Sequence, residues 1–349
     1  MQEPAYWSTP APSTAVGVDI GGTNTKLVLV DHDGTVRLRA VVPTPPSDDP
    51  PRMLGEIADA VLRFRGEAEA NGHAVVGIGL ATPQFTDGPD WRQRHANNMP
   101  GLEGYPIRPQ LVEALGTPLA IVYDSGAAAI AEKVFGRGRA VDRLLTMSIG
   151  TGISTGAVTE DGFVDFNWGG TGDSGQIIVD PDATMRCPCG GRGCLESVAA
   201  APAIRRAAIE AIAGHDETSL ARRFAATGLI EASDVVAAAA GGDAVARRIV
   251  MKAGRNIGIA LASFVHMFRP ELIVLCGGVA QAGELLLEPI RVALADFGSP
   301  WYLERLRGIE ISAFPLDGAA IGSAALVLHP ELIARVRSTA FEPAVERSR

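Results

Sequence analysis

A glycine-rich turn near the start of the chain carries residue types that can bind a phosphate group. Apolar, β-branched runs flank a segment that reads Asp19-Ile20-Gly21-Gly22-Thr23-Asn24-Thr25-Lys26. Such runs around a tight polar turn predict a β-hairpin. Glycines let backbone N–H groups approach an anion closely, and the hydroxyls of Thr23 and Thr25 add donors. The turn therefore predicts a phosphate-binding loop, and an ordinary glycine hairpin is the alternative.

Asp19 places a carboxylate at the end of the first predicted strand. Beside a bound phosphate, a carboxylate is tolerated mainly when a divalent cation lies between them, and Mg²⁺ prefers such oxygen ligands. We therefore expect Mg²⁺ near Asp19. The residues of this first turn that we expect to bind phosphate or the cation are Asp19, Gly21, Gly22, Thr23, Asn24 and Lys26.

A second turn of the same composition follows the buried strand predicted over 144–148. It contains Gly150, Thr151 and Gly152 and leads into another apolar run. Two such hairpins, each after the first strand of a domain, predict an internally duplicated α/β fold that binds one nucleotide. A third glycine turn, Gly277-Gly278, follows the strand predicted over 272–275 and leaves room for a flat adenine ring.

Asp124 is the candidate for acid–base chemistry. It ends the buried strand predicted over 118–123 and precedes an alanine-rich helix predicted over 127–135. Ligands of α/β folds bind at the carboxyl ends of strands, where this residue lies. Aspartate also caps helices well, and the sequence leaves both roles open.

Three of the four cysteines lie within eight residues, at Cys187, Cys189 and Cys194, among glycines. Thiols on a tight glycine turn predict a tetrahedral zinc site, with three free buried thiols as the alternative. The small number of cysteines argues against a disulfide scaffold and for a reducing, cytoplasmic location.

The composition limits the class of protein. With 349 residues the chain can form two domains, and 47% hydrophobic and 20% charged residues are typical of a soluble protein. No apolar run is long enough to span a bilayer, and the start of the chain lacks the pattern of a signal peptide. The net charge of −9 argues against a nucleic-acid-binding surface.

The spacing of apolar residues predicts the remaining elements. We expect an irregular polar segment over 87–104 and no regular element over most of 169–196. Helices are predicted over 53–70, 107–115, 244–268 and 284–295, and further strands over 36–42, 74–81 and 309–313.

Together these segments resemble the ROK family of sugar kinases and sugar-responsive repressors, over 16–329. The resemblance implies a two-lobed, actin-like ATPase fold, which is a duplicated ribonuclease H-like fold with its active site in the cleft between the lobes. It implies an N-terminal lobe over 12–124, completed by a C-terminal helix at about 322–340. The C-terminal lobe would span 125–321 and contain a cysteine knuckle at 187–196.

The resemblance also implies roles for single residues. Asp124 would be the catalytic base of an ATP- and Mg²⁺-dependent phosphoryl transfer to a small polyol, in a chain that forms a homodimer. The turn at Gly150, Thr151 and Gly152 and the segment Gly277-Gly278 would bind ATP. The substrate would contact Asn98, Asp124, Asp173, Gln176 and Glu196.

The chain departs from the family pattern near the sugar. The family usually reads G-E-x-G-H where this chain reads Gly172-Asp173-Ser174-Gly175-Gln176. The histidine of that pattern ligates zinc and touches the sugar near its anomeric carbon. Glutamine is a poor zinc ligand beside thiolates, so the sequence identifies no fourth ligand for the predicted zinc.

The same departure from the family pattern favours a substrate whose ring differs from that of a sugar. A C7-cyclitol such as a valiolone- or valienone-like ketone, phosphorylated on its primary hydroxyl as in aminocyclitol antibiotic biosynthesis, fits it. A hexose phosphorylated at the 6-hydroxyl is the alternative.

A sugar-responsive repressor is disfavoured, because the first strand near Val16 leaves no room for a preceding helix-turn-helix module. A catalytically inactive sugar sensor or a structural zinc protein is disfavoured by the retained Asp124 and phosphate turns.

Overall fold

The computed structural model describes residues 13–83, 85–87, 90–94, 99–117, 119–164, 174–215 and 217–331. Its strands are β1 (Ser13–Ile20), β2 (Asn24–Asp31), β3 (Val36–Pro43), β4 (Ala74–Thr82), β5 (Phe85–Asp87), β6 (Arg92–Arg94), β7 (Leu119–Tyr123), β8 (Leu144–Ile149), β9 (Ile153–Thr159), β10 (Gly162–Phe163), β11 (Leu272–Cys276) and β12 (Gly308–Ile311). Its helices are α1 (Pro50–Ala70), α2 (Ile107–Leu115), α3 (Asp124–Val134), α4 (Leu195–Ala199), α5 (Ala201–Ala213), α6 (Ser219–Thr227), α7 (Ala232–Ala240), α8 (Ala244–Phe268), α9 (Glu284–Phe297), α10 (Pro300–Leu303) and α11 (Gly318–Leu328). None of the helices in these ranges combines the length and the apolar character needed to cross a bilayer.

The contacts within the chain divide it into two units. The first contains the described residues up to Ala140, those between Gly156 and Gly172, and those from Asp317 onward. The second contains residues 141–155 and the described part of 173–316. Helix α3 packs against α11 and belongs to the first unit, whereas the predicted lobe boundary lies directly after Asp124.

The first sheet has the strand order β3-β2-β1-β4-β7. β1 pairs antiparallel with β2, which confirms the predicted first hairpin, and it pairs parallel with β4. β7 extends the parallel part of the sheet beside β4. The carboxyl ends of β1, β4 and β7 therefore lie at one edge of the sheet, where α/β folds bind their ligands.

The second sheet repeats this order. It runs β10-β9-β8-β11-β12. When the strands of each sheet are numbered in chain order, both sheets have the order 3-2-1-4-5. β8, β11 and β12 are parallel, and β9 pairs antiparallel with β10. The repeated order agrees with the internal duplication that the two glycine turns predicted.

Helix α1 shows how local sequence sets an element of the first unit. Asp49 accepts a hydrogen bond from the Arg52 N–H at 3.2 Å, and Pro50 and Pro51 occupy the first turn, where no backbone donor is needed. Its apolar face is fully buried in the core with strands β1 and β4. The buried side chains on this face are Met53, Leu54, Ile57, Ala58, Ala60, Val61, Phe64 and Ala68.

The backbone of helix α11 packs directly against the backbones of β1, β4 and α3. A Cβ atom added at Gly17 or Gly79 would lie 2.0 or 1.8 Å from a carbonyl oxygen of α11. On the opposite side, a Cβ atom at Gly322 would lie 1.7 Å from the Ala127 carbonyl oxygen of α3. The Ser323 hydroxyl accepts a hydrogen bond from the Val18 N–H at 3.1 Å. These contacts join β1, β4 and α3 to one helix of small residues.

Several predicted boundaries change in the structure. The helices predicted over 107–115 and 244–268 are confirmed. The segment 87–104 is not wholly irregular, because Arg92–Arg94 pairs with Phe85–Asp87 and Pro100–Leu102 forms a 3₁₀ turn. The alanine-rich helix begins at Asp124 rather than Ala127, since Tyr123 already occupies the position before its first turn.

The glycine contacts of α11 predict that Gly79→Ala lowers the free energy of unfolding by about 2–4 kcal/mol, because the added methyl group cannot be accommodated without moving the helix. Urea unfolding measures this change. Gly66→Ala in α1 is the matched control, because nothing lies within 4 Å of its added methyl. The control should stabilise the protein by up to about 1 kcal/mol. Equal effects of the two substitutions would contradict the close packing.

Candidate functional site

Three carboxylates of the first unit come together at the carboxyl edge of its sheet. Asp19 is the next-to-last residue of β1 and pairs with Lys26 of β2 and Ala81 of β4. Asp124 follows β7 directly, and Asp317 directly precedes α11. Asp317 was not among the residues predicted for the site. The signal that could have identified it is an acid before a helix of small residues.

Burial and like charge raise the pKa values of two of these carboxyls. Burial raises the pKa of Asp124 to about 7, with a further contribution from the negative charge of Asp19. Burial also raises the pKa of Asp19, against the opposing effect of the Lys26 ammonium 3.6 Å away, and Asp317 adds to the increase. Clustered carboxylates of this kind bind a divalent cation, because it neutralises charges that otherwise repel.

Asp124 is not the capping residue of α3. Tyr123 occupies that position, and Asp124 is the first residue of the helix itself. Its Oδ1 atom accepts a hydrogen bond from the Ser125 N–H at 2.6 Å, whereas its Oδ2 atom accepts none from the residues that the structure describes. The side chain is half-buried. The carboxyl is therefore held by one oxygen, and its other oxygen can meet a ligand.

Hydrogen bonds within the first glycine turn and from Thr44 fix the shape of this turn. The Gly21 N–H donates to the Asn24 carbonyl oxygen at 3.0 Å. The Thr44 hydroxyl donates to the Gly21 carbonyl oxygen at 2.7 Å, and the Thr44 N–H donates to that of Thr23 at 2.9 Å. Gly22, Thr23 and Asn24 remain exposed. The tip of the turn therefore presents small residues on a backbone of fixed shape.

Thr25 does not point toward a ligand at this tip. Its side chain is fully buried, and its hydroxyl lies 2.9 Å from the Thr44 hydroxyl. Since Thr44 donates to the Gly21 carbonyl, Thr25 must donate to Thr44. The expectation that Thr25 offers a hydroxyl to phosphate is therefore wrong, because this hydroxyl supports the loop instead.

The second glycine turn has its own set of hydrogen bonds in the second unit. The Gly150 N–H donates to the Gly152 carbonyl oxygen at 2.9 Å, and the Ala201 N–H donates to the Gly150 carbonyl oxygen at 2.9 Å. Thr151 and Gly152 are exposed. A Cβ atom at Gly277, whose φ of +86° also favours glycine, would lie 2.5 Å from the carbonyl oxygen of Ile149. The predicted adenosine segment therefore lies against the residue that precedes this turn.

Glu196 joins the cysteine segment to the second turn. Its Oε2 atom accepts a hydrogen bond at 3.0 Å from the N–H of Ile153, the residue directly after the turn. A Cβ atom at Gly152 would lie only 2.7 Å from the same oxygen. Glu196 was predicted to contact sugar hydroxyls only. In the structure one of its oxygens also holds the backbone directly after the second glycine turn.

Cys187, Cys189 and Cys194 have a geometry that fits a tetrahedral metal ion. Their Sγ atoms all lie within 4.8 Å of one another, and those of Cys189 and Cys194 are 3.6 Å apart. Two thiolates bound to zinc at about 2.3 Å would lie about 3.8 Å apart. The Cys187 N–H donates to the Gly191 carbonyl oxygen at 2.9 Å, which tightens the turn. The donor set and spacing therefore fit zinc.

The remaining predicted substrate residues lie in different places. Gln176, in the 3₁₀ turn Ser174–Gln176, turns its side-chain oxygen toward the cysteines, 3.3 Å from the Sγ atom of Cys187. Asn98 and Asp173 lie outside the described residues.

Comparison with known proteins identifies the family. The model of the ROK family matches residues 15–329. The chain belongs to the ROK family. It is 32% identical to a glucokinase of Halalkalibacterium halodurans, over 90% of this chain and 95% of that protein.

Two solved structures resemble the chain along most of its length. A ROK family glucokinase from Streptomyces griseus, in complex with glucose and AMPPNP, matches with a TM-score of 0.76 and 28% identity, over 90% of this chain and 99% of that one. A ROK family transcriptional regulator, a homologue of the E. coli MLC protein, matches with a TM-score of 0.79 and 26% identity, over 93% and 79%. The predicted fold class, the α/β fold of this family, is thereby confirmed.

The raised pKa of Asp124 predicts a pH-dependent effect of Asp124→Asn on stability. The folded state keeps its proton up to about pH 7, whereas the unfolded chain loses it near the ordinary value of 3.8. Stability that the neutral carboxyl contributes is therefore lost as pH rises between these values. The variant lacks this loss, so its stability relative to wild type should increase from pH 5 to pH 8. Urea unfolding without added Mg²⁺ measures the difference.

Asp33→Asn is the control for this measurement. Hydrogen bonds to the Asp33 carboxyl, from Asp31 and from Thr35, lower the pKa of Asp33 to about 2, so this group is ionised in both states above pH 5. The difference between this variant and wild type should be constant from pH 5 to pH 8. A constant difference for Asp124→Asn as well would show that its carboxyl does not titrate in this range.

Proposed function

We propose that this protein is a hexose kinase that transfers the γ-phosphoryl group of ATP to the 6-hydroxyl of its substrate. The coarser activity, ATP-dependent phosphorylation of a sugar hydroxyl, follows from its membership in the ROK family and its likeness to glucokinases along nearly their whole length. The observation that supports the proposal most directly is Asp124, a half-buried carboxyl at the end of β7 with one oxygen left for a ligand.

Asp124 acts as the general base in this proposal. A base works best when its pKa lies near the working pH, and burial raises that of Asp124 to about 7. The Ser125 N–H holds one oxygen, so the other accepts the proton of the attacking hydroxyl. In the same step the hydroxyl oxygen forms its bond to the γ-phosphorus, and the bond from that phosphorus to ADP breaks.

Asp19 and Asp317 would attract Mg²⁺ at the same edge, where the Lys26 ammonium lies 3.6 Å from Asp19 and Arg39 Nε donates to Asp317 at 3.1 Å. When bound, Mg²⁺ neutralises charge on the phosphoryl group in transfer. The exposed tip of the first turn would bind phosphate oxygens through the backbone of Gly22 and Thr23, with Lys26 beside Asp19. The cation would also relieve the repulsion that Asp19 exerts on Asp124.

The second unit supplies the other nucleotide-binding segments in this proposal. Thr151 and Gly152 would bind phosphate, and Gly277 and Gly278 would lie against the adenosine. The proximity of Gly277 to Ile149 supports this assignment, because it brings the two segments together within the unit.

A hexose is preferred over the cyclitol that the sequence analysis favoured. The relatives support the hexose, since the glucokinases match nearly the whole chain. The argument for a cyclitol depended on Gln176 and Asp173 at the sugar. Gln176 turns its oxygen toward Cys187, so its replacement of the family histidine concerns the cysteines as much as the sugar. Asn98, Asp173 and Glu196 remain the proposed contacts to sugar hydroxyls, and a C7-cyclitol is the second candidate.

A structural zinc ion is part of the same proposal. Cys187, Cys189 and Cys194 would bind it as thiolates and stabilise the knuckle from which Glu196 projects. The support is the spacing of the three sulfur atoms. Formation of a homodimer, and a cytoplasmic location, are proposed from the family resemblance and the composition alone.

The proposed base is tested by the turnover of Asp124→Asn. The variant should fold and bind ATP normally, while kcat falls by about 10²–10⁴, the usual worth of general base catalysis. Coupled ADP release with glucose measures kcat, and calorimetry measures ATP affinity. Asp33→Asn, the same substitution in the β2–β3 turn, should retain wild-type kcat. A near wild-type kcat in Asp124→Asn would remove this residue from the role of base.

The proposed substrate is tested by the ratio of kcat/KM for glucose to that for a C7-cyclitol under saturating MgATP. We expect a glucose value of about 10⁴ M⁻¹s⁻¹ or more, within the range of good enzymes, and a lower value for the cyclitol. A pocket that hydrogen-bonds one particular hydroxyl rejects analogues that lack it, so the ratio should be large. The opposite ratio would establish the cyclitol as the substrate. The absence of turnover with any sugar or cyclitol would favour a sensor.

A further inference from the structure

We propose that the side-chain oxygen of Gln176 is the fourth ligand of the metal ion bound by Cys187, Cys189 and Cys194. The inference rests on the proposed metal knuckle and is independent of the substrate. It assigns to this chain a Cys₃Gln site, in which a hard amide oxygen completes a set of three soft thiolates.

The first support is the position of the oxygen. Gln176 Oε1 lies 3.3 Å from the Sγ atom of Cys187, and Cys187 in turn belongs to the compact cluster of three sulfur atoms. In a tetrahedral site with Zn–S bonds of about 2.3 Å and a Zn–O bond of about 2.1 Å, a ligand oxygen and a ligand sulfur lie about 3.6 Å apart. The distance between Gln176 Oε1 and Cys187 Sγ, across which the thiol donates a hydrogen bond, is therefore within a few tenths of an ångström of the distance between two ligand atoms of one zinc ion.

The second support is the backbone that carries Gln176. The residue directly after it, Ile177, accepts a hydrogen bond from the Leu195 N–H at 2.9 Å. The Val179 N–H donates to the Gly193 carbonyl oxygen at 2.9 Å, and Ile178 forms a β-bridge with Cys194. The segment that follows Gln176 thus pairs through backbone hydrogen bonds with the segment that carries Cys194. This pairing holds the Gln176 side chain beside the three cysteines.

The third support is the lack of a competing ligand. In the part of the chain that the structure describes, no histidine, aspartate or glutamate joins the three cysteines in the cluster. Glu196 is the nearest acid in sequence, but its Oε2 atom accepts the hydrogen bond from the Ile153 N–H. Gln176 also stands at the sequence position of the histidine in the family pattern.

This ligand set has a measurable consequence. An amide oxygen is a weaker donor to zinc than an imidazole nitrogen, whereas the three thiolates still select a soft ion. Gln176→His should therefore bind the metal more tightly than wild type, and Gln176→Ala should release it faster. Substitution of a residue that only hydrogen-bonds to a metal ligand lowers metal affinity by about 10–100-fold. We therefore expect Gln176→Ala to release the metal at least about tenfold faster than wild type.

The experiment begins with the zinc content of protein purified without added metal, which should be about one ion per chain. Zinc transfer to a chromogenic chelator then gives the release rate of each variant. X-ray absorption at the zinc edge should show three sulfur atoms and one oxygen or nitrogen. In Co²⁺-substituted protein, Gln176→His should shift the d–d bands and leave the thiolate charge-transfer intensity unchanged.

Two controls separate ligation from general damage. Gln281→Ala makes the same substitution at an exposed glutamine of the second unit and should release zinc at the wild-type rate. Cys276→Ala replaces the buried cysteine outside the cluster and should retain one zinc, whereas Cys189→Ala should not.

The outcomes are distinguishable from those of the proposed function. An unchanged release rate in Gln176→Ala, together with unchanged Co²⁺ bands in Gln176→His, would overturn the assignment of Gln176. Wild-type protein without metal would overturn the site altogether. The first result concerns only the fourth ligand. The second would also remove the structural zinc ion from the proposed function, whereas the kinase activity itself is decided separately by the ADP-release assays with glucose.

Discussion

The contact of helix α11 with β1, β4 and α3 is the constraint on which the first unit depends. Carbonyl oxygens of α11 occupy the space that side chains at Gly17 and Gly79 would fill, and the Ala127 carbonyl of α3 does the same at Gly322. Packing at this distance leaves little freedom to the elements involved. Because β1 ends near Asp19, α3 begins at Asp124 and α11 follows Asp317, the same contact brings the three carboxyls to one edge of the sheet.

The clustering of these carboxyls raises the free energy of their ionised forms, and the proposed chemistry depends on this effect. Partly buried carboxyls beside one another resist ionisation, and burial together with the charge of Asp19 raises the pKa of Asp124 to about 7. A site that lowered this cost by separating the charges would also lose its attraction for a divalent cation. It would also lower the pKa of Asp124 by removing the contribution of Asp19, while the larger contribution of burial would persist. Strongly shifted pKa values at the ligand edge of an α/β sheet are typical of functional sites.

The second unit uses hydrogen bonds rather than close helix packing to shape its turn. Glu196 follows Cys194 by two residues and holds the N–H of Ile153 at the end of the turn, while Ala201 holds the carbonyl of Gly150. The cysteine segment, the start of α4 and the second glycine turn are therefore connected by hydrogen bonds. A metal ion bound by the cysteines, as proposed, would act on the shape of that turn through this connection.

The sequence by itself determined the features that depend on neighbouring residues. Both glycine turns, the strand before Asp124, the helix over 107–115 and the cysteine spacing are encoded within short segments, because periodicity and turn chemistry act locally. Tertiary structure alone decided which partner each polar group meets. Thr25 donates to Thr44 rather than to a ligand, and Gln176 turns its oxygen to Cys187. These outcomes depend on contacts between distant segments, such as the bond between Ser323 and Val18 across 305 positions, which no local pattern encodes.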